Sequence, residues 1–137
     1  MVVGCQLSSI KKNSKFMNKD YIDLEVWQEC RKLTNLVYAL TKLFPKEEQF
    51  GLINQIRRDA VSVSSNIAEG CGRQTAKDTI NFLHISRGSL YEVETQCFVA
   101  LDQNYISKEQ FDDILKRFKF VNDYLTALLI ITRNYHE

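Results

Sequence analysis

Few residues of this sequence combine a reactive side chain with a spacing that enzymes use. The two histidines, His84 and His136, have no glutamate three residues earlier, so the Glu-x-x-His ligand pattern of di-iron helical bundles is absent. The run Gly70-Cys71-Gly72 follows no predicted strand and precedes no lysine, so it is not a phosphate-binding loop. We therefore predict a protein without enzymatic activity and without a cofactor.

The four cysteines do not form a metal-binding pattern either. Cys5, Cys30, Cys71 and Cys97 are widely spaced, with no Cys-x-x-Cys pair and no histidine at a ligand spacing. We expect them to act as small hydrophobic residues in a reducing compartment. No run of about 20 apolar residues could span a bilayer, and the N-terminal apolar stretch is too short and polar for a signal peptide. These features predict a cytoplasmic protein with no membrane partner.

Positive charge is concentrated at the N-terminus. The first nineteen residues contain four lysines and no acidic residue, whereas the formal net charge of the whole chain is only +1. The remainder is therefore slightly acidic, and a nucleic-acid contact would need a local basic cluster. We predict a flexible basic tail over residues 1–19, with Met17 as the hypothetical true start, and one helical domain over residues 20–137.

Composition and periodicity predict an all-α fold. Hydrophobic residues make up 45% of the chain, and its five glycines and single proline are too few for a many-stranded β fold. Gly70 and Gly72 are expected to end the second helix through a left-handed C-cap. The predicted helices run from an N-cap at Asp23 to about Phe44, from Pro45 to about Glu69, from Thr75 to about Gln103, and from Ser107 to about Tyr135. Short connections between such helices favour an antiparallel up-and-down four-helix bundle.

The third helix has more apolar surface than one bundle requires. Its predicted core stripe includes Leu83, Leu90 and Phe98, and a second apolar band lies beside it. The fourth helix also carries aromatic residues away from its core stripe. This extra width predicts a homo-oligomer, with an interface that contains Phe82, Ile85, Ser89, Val93, Phe120 and Tyr124.

Polar residues on the helices predict a buried network or an interface. Arg87 and Glu94 fall on the apolar stripe of the third helix, where an unpaired charge would cost several kcal/mol. Their partners are expected on other helices. The second helix offers a polar stripe at three- and four-residue spacing that contains Gln55, Arg58, Asp59, Ser62, Asn66 and Glu69.

The second helix also carries a recognisable signature. The run from Gln55 to Ser62, followed by Ser65-Asn66-Ile67-Ala68-Glu69-Gly70 and Arg73, resembles the four-helix-bundle proteins encoded in 23S rRNA intervening sequences. This family is similar to the accessory variability protein of diversity-generating retroelements. The resemblance covers about residues 20–130 and departs at Asp59, where small apolar residues are usual.

The resemblance implies a homopentamer and leaves two functions open. One is a non-catalytic scaffold that binds RNA or a nucleoprotein through the family's basic positions, which correspond here to Arg57, Arg58 and Arg73. The other is a protein-interaction scaffold that binds no nucleic acid. In that case Arg58 is expected to pair with Glu69 or Glu94 and to hold subunits together.

Overall fold

Four α-helices account for most of the fold. A computed structural model describes residues 20–134, and the predicted basic tail with its lysines, Cys5 and Met17 lies outside them, as does His136. Within this range there is no strand, which confirms the all-α class. The helices are α1 (Glu25–Thr41), α2 (Leu52–Cys71), α3 (Ala76–Asp102) and α4 (Lys108–Asn134), with 3-10 turns at Tyr21–Asp23 and Lys46–Glu48.

The starts of α3 and α4 follow their predicted caps. The Thr75 side chain accepts a hydrogen bond from the Asp78 backbone N–H at 3.2 Å. At α4, the Ser107 N–H donates to Gln110 Oε1 at 2.8 Å, and the Gln110 N–H donates to Ser107 Oγ at 3.1 Å. Each cap satisfies backbone donors that the helix itself leaves without partners. Both capping predictions are confirmed.

The predicted starts of α1 and α2 are wrong. Asp20, not Asp23, accepts a backbone hydrogen bond, from the Ile22 N–H at 3.2 Å, and this closes a 3-10 turn before α1. A competing cap three residues earlier therefore delays the helix until Glu25. After Pro45 the chain forms only another 3-10 turn, and α2 begins beyond Gly51.

The end of α2 also differs from its prediction. Gly72 caps α2 with φ of −84° in the right-handed region, so no left-handed C-cap forms there. The single positive φ among the described non-glycine residues is 62° at Asn104, in the turn between α3 and α4. Asparagine tolerates this conformation better than most residues. The sequence predicts a connection here, between Gln103 and Ser107, but it does not single out Asn104 as the left-handed residue.

The core contains the predicted face of α1 but a rotated face of α3. Every predicted core position of α1 is buried, from Val26 to Phe44. On α3, Leu83 and Leu90 are buried as expected, whereas Phe98 is 46% exposed. In its place the second apolar band turns inward and buries Ser86, Val93 and Ala100. The width of α3 is therefore used within the chain, because α3 packs against both α2 and α4.

Small residues allow α2 and α3 to approach closely. Ser86 Oγ donates to the Val63 carbonyl at 2.6 Å, and Thr79 Oγ1 donates to the Gly70 carbonyl at 2.9 Å. A Cβ added at Gly70 would lie 3.2 Å from Phe82 Cβ, which is tighter than most real contacts. A larger residue at Gly70 would thus force the two helices apart.

Candidate functional site

Arg57 joins α1 to α2. Its Nε donates to Thr41 Oγ1 at 2.8 Å, and its guanidinium carbon lies 4.6 Å from the centroid of the Tyr38 ring. The side chain is half-buried by these contacts. Because its Nε and one face of its guanidinium are engaged by α1, Arg57 has a structural role, while its Nη groups keep further donors.

Arg73 and Arg58 differ in their contacts. Arg73 forms an ion pair with Glu69 at 2.9 Å and lies 4.5 Å from the centroid of the Phe82 ring. Arg58 is exposed and has no ion pair within residues 20–134. The expected pairing of Arg58 with Glu69 or Glu94 was a contact between subunits, and it stays a prediction.

The three arginines do not form one patch. At 1.5 Å per helical residue, the backbone positions of Arg58 and Arg73 are separated by roughly 20 Å along α2. Arg57 faces α1, as its bond to Thr41 shows. A phosphate-binding surface built on these positions would therefore depend mainly on Arg58 within one chain.

Part of the polar stripe of α2 meets α3. Ser62 Oγ and Ser89 Oγ are 2.9 Å apart, and Asn66 Nδ2 donates to the Ser62 carbonyl at 2.8 Å and to Ser62 Oγ at 2.9 Å. Ser89 was expected at a subunit interface but lies buried in this contact. Gln55 is exposed and lies outside the Ser62–Asn66–Ser89 cluster.

A second bridge between α2 and α3 joins Gln96 to Asp59 and was not predicted from the sequence. Gln96 Nε2 donates to Asp59 Oδ2 at 2.8 Å. Gln96 is only 7% exposed, and its Oε1 meets no hydrogen-bond partner within the described part of the chain. The nearby Asp59 carboxylate raises the pKa of the Glu92 carboxyl by charge repulsion and by hydrogen bonding. The available signal was Asp59 itself, at a position where the resembled family has small apolar residues.

Arg87 is held by α4 and not by an acid of α2. Its Nε donates to Tyr91 OH at 3.0 Å and to Asn122 Oδ1 at 3.1 Å. Its guanidinium carbon lies 5.4 Å from the centroid of the Tyr91 ring. The expected partner from α2 is wrong, because Arg87 lies on the side of α3 that faces α4 and bonds Asn122 there.

A groove opens beside this cluster, between α3 and α4. Its volume is about 620 Å³, within the range of about 300–1,000 Å³ common for small-ligand sites. Lys116 and Lys119 form no ion pair within residues 20–134, whereas Asp112 pairs with Lys108 at 3.0 Å. The groove is lined by Tyr91, Glu94, Asp112, Leu115, Lys116, Lys119 and Asn122.

Most of the chain matches the profile of one protein family. The profile of the 23S rRNA-intervening sequence protein family matches residues 22–127. The chain belongs to this family. This membership confirms the family resemblance of the α2 signature.

A solved structure supports the fold of this intervening-sequence family member. The crystal structure at 1.70 Å resolution of a protein of unknown function from the S23 ribosomal protein family of Bacteroides thetaiotaomicron VPI-5482 superposes with a TM-score of 0.71. The two chains are 25% identical over 76% of this chain and 97% of the other. No curated protein shows significant similarity to the chain.

The expected interface residues of the family member are partly buried within one chain. Val93 and Tyr124 join Ser89 in the core, so the prediction that these three form an exposed interface is wrong. Phe82 and Phe120 are half-buried. Ile85 remains 51% exposed and Val99 42% exposed, and both lie on the outer face of α3.

The thiols of the described region are inert by burial. Cys30, Cys71 and Cys97 are free and buried. Desolvation raises the pKa of Cys71 to about 11 and that of Cys97 to about 12, and it also raises the pKa of Cys30. High pKa values leave very little thiolate at neutral pH, in agreement with a packing role.

The described region offers neither a metal-binding cluster nor a membrane-spanning helix. Within residues 20–134, no group of three histidine, cysteine, aspartate or glutamate side chains could hold a metal ion. None of the four described helices is long and apolar enough to cross a membrane.

Proposed function

We propose that this protein is a non-catalytic scaffold, an antiparallel up-and-down four-helix bundle that assembles into a homo-oligomer, with the pentamer as the expected form. The antiparallel arrangement is supported by the contacts of α2 with α3. The hydrogen-bonded pairs are, in order along α2, Asp59 with Gln96, Ser62 with Ser89, Val63 with Ser86, and Gly70 with Thr79. Residue numbers therefore rise along α2 as they fall along α3. α4 contacts both α3 and α1.

The outer face of α3 carries the proposal of self-association. Ile85, Gly88, Thr95 and Val99 follow each other at multiples of about one helical turn, and all four are exposed. A Cβ built at Gly88 meets nothing within 4 Å, so no contact inside the chain requires a glycine there. Glycine in the middle of a helix costs about 1 kcal/mol relative to alanine. Close approach of a second copy gives this glycine a purpose.

The test of the scaffold is the mass of the particle in solution. Multi-angle light scattering of the full chain is expected to give a multiple of the subunit mass, and Gly88→Leu is expected to release monomers. Leucine fits the open space at Gly88 and improves helix propensity, so the monomer itself should stay folded. Asn35→Leu, at an exposed position of α1, is the control and should keep the wild-type mass. A folded wild-type monomer at micromolar concentration, or an unchanged mass for Gly88→Leu, contradicts the proposal.

RNA association is the second candidate, and the exposed guanidinium of Arg58 favours it. Copies in a ring would repeat this cation around the assembly, and multivalency would raise a weak phosphate affinity. Arg58→Ala should then weaken binding to structured RNA and reduce its salt dependence. The control is Arg31→Ala, at an exposed position of α1. Pull-downs that recover the same proteins after nuclease treatment, from a chain that binds no RNA, would favour the protein-interaction scaffold.

A further inference from the structure

The α3–α4 groove combines four kinds of recognition group in a small space: cations, an aromatic ring, a carboxylate and an amide. On the α4 side, Lys116 and Lys119 are exposed and three residues apart on one helix face. On the α3 side, Tyr91 is 42% exposed, with the Arg87 guanidinium carbon 5.4 Å from the centroid of its ring. Glu94 adds a carboxylate acceptor, and Asn122 adds an amide.

The positive charge of the groove contrasts with the rest of the molecule. The acid Asp112 is already paired with Lys108. Glu94 is then the remaining acid of the lining, against Lys116, Lys119 and the adjacent Arg87. The chain beyond its N-terminal tail is slightly acidic as a whole. A local cationic cluster on an acidic body is a place where an anion is preferred over a cation.

Arg87 fixes the geometry of the groove before any ligand arrives. Because its Nε bonds both Tyr91 OH and Asn122 Oδ1, it orients the aromatic ring and the amide from opposite helices. Asn122 Oδ1 is thus occupied by Arg87, and its Nδ2 remains as a donor. An ordered aromatic surface between cations costs less conformational entropy on binding than a mobile one.

We propose that the α3–α4 groove binds a nucleotide, with its phosphate at Lys116 and Lys119 and its base against Tyr91. Single-stranded nucleic-acid sites combine a cationic groove with aromatic rings on which bases stack. Glu94 would repel a phosphate but can accept hydrogen bonds from an amino group of a base or from ribose hydroxyls. This places the phosphate at the lysines and the base at the Tyr91–Glu94 end.

The same chemistry excludes the nearest competitor. An acidic peptide would satisfy the two lysines but would bring further carboxylates towards Glu94. Bases and riboses are neutral and carry hydrogen-bond donors that the Glu94 carboxylate can accept. The groove therefore favours a nucleotide, either free or as one unit of a single strand. The site is separate from Arg58, so it extends the RNA candidate without depending on that residue.

The experiment measures the anisotropy of a fluorescein-labelled 12-nucleotide single-stranded RNA with the full chain, with AMP and a glutamate-rich peptide as competitors. Lys116→Gln with Lys119→Gln is expected to weaken binding at least tenfold. Loss of two phosphate contacts should also lower the slope of log affinity against log salt by about 1.4, at about 0.7 per contact. Lys42→Gln with Lys77→Gln, two exposed lysines outside the groove lining, is the matched control and should bind as the wild type does.

A second pair of variants isolates stacking. Tyr91→Leu is expected to weaken binding about tenfold, whereas Tyr91→Phe keeps the ring and should bind within about threefold of the wild type. Circular dichroism confirms that each variant is folded. Competition by AMP identifies a free-nucleotide site, and binding of RNA without competition by AMP identifies a strand site. Both results support the proposal.

Three results would overturn the inference. Equal binding by the lysine variant and its control would do so, as would displacement of RNA by the glutamate-rich peptide but not by AMP or unlabelled RNA. Loss of binding in Arg58→Ala but not in the groove variants overturns it and keeps the RNA candidate. If the wild-type chain binds neither RNA nor AMP at 50 mM salt, both the nucleotide site and the RNA candidate are wrong. The proposed homo-oligomeric scaffold is tested separately, by light scattering.

Discussion

The two sides of α3 meet their neighbours by different means. Towards α2, small residues bring the backbones close, and the buried Ser86 hydroxyl bonds directly to a carbonyl of α2. Towards α4, Arg87, Tyr91 and Glu94 leave an open groove at the edge of the apolar contact. The close contact uses its polar groups within the chain, whereas the open one keeps charged groups available to solvent.

This difference separates structural polar residues from candidate binding residues. A buried hydroxyl or amide without a partner costs about 1–3 kcal/mol, so residues of the α2–α3 contact should be sensitive to substitution. Exposed charges contribute little to stability, with typical effects within about 0.5 kcal/mol. Substitutions in the groove should therefore alter binding and leave the fold intact.

The largest expected effect is at Gly70. Gly70→Leu should destabilise the protein by about 3 kcal/mol, because the new side chain meets Phe82 and the Thr79 carbonyl at the closest approach of α2 and α3. Chemical denaturation measures the loss. Gly72→Leu is the matched control two residues later, where a Cβ lies at an ordinary 3.6 Å from the Glu69 carbonyl. Equal stability of the two variants would mean that the close contact is not required.

The intermediate effect is at the Asp59–Gln96 bridge. Asp59→Ala should cost about 1 kcal/mol, because it leaves the buried Gln96 amide without its acceptor. Adding Gln96→Leu should recover the lost stability or raise it above the wild-type value, since both polar partners are then gone. A double-mutant cycle measures the coupling between the two residues. Asn122→Ala is the comparison on the α4 side and should cost less, because half-exposed Arg87 can bind water instead. A larger cost for Asn122→Ala would reverse the ranking of the two contacts.

Local signals in the sequence predicted the elements better than their faces. The caps at Thr75 and Ser107 depend on residues three positions away, so they could be read directly. The predicted cap at Asp23 failed although it was also local, because Asp20 offered a competing turn. Neither composition nor periodicity ranks two acids that are each able to cap.

The faces of α3 and the roles of the arginines depend on contacts distant in sequence. Hydrophobicity favoured burial of Phe98 over Ser86, but close packing against α2 selected the small residue. Likewise, the contacts of Arg57 with Tyr38 and Thr41 of α1 could not be predicted from the sequence. Such choices are decided by which helix lies opposite, and a single sequence does not encode that in its periodicity.

The smallest expected effect is the pH dependence of the Asp59–Glu92 pair. Repulsion from Asp59 raises the folded pKa of Glu92 above its ordinary value of 4.5, so the native state holds this proton to higher pH than the unfolded chain. Stability from this group is therefore present below pH 4.5 and is lost as pH rises through the folded pKa. Glu92→Gln should be more stable than the wild type at pH 7, by about 0.5 kcal/mol or less for an exposed like-charge pair, and should lose that advantage near pH 4.

Thermal melts between pH 4 and pH 7 measure this difference, and Asp59→Asn separates the pair from a general effect of charge. Asparagine keeps an oxygen that can accept from Gln96 Nε2 and removes the repulsion, so this variant should abolish the same pH-dependent increment. If Glu92→Gln gained equal stability at pH 4 and pH 7, the gain would come from helix propensity or hydrogen bonding and not from the pair. The α2–α3 contact would then hold its two carboxylates without mutual repulsion, and Gln96 Oε1 would be its one buried side-chain atom without a hydrogen-bond partner within residues 20–134.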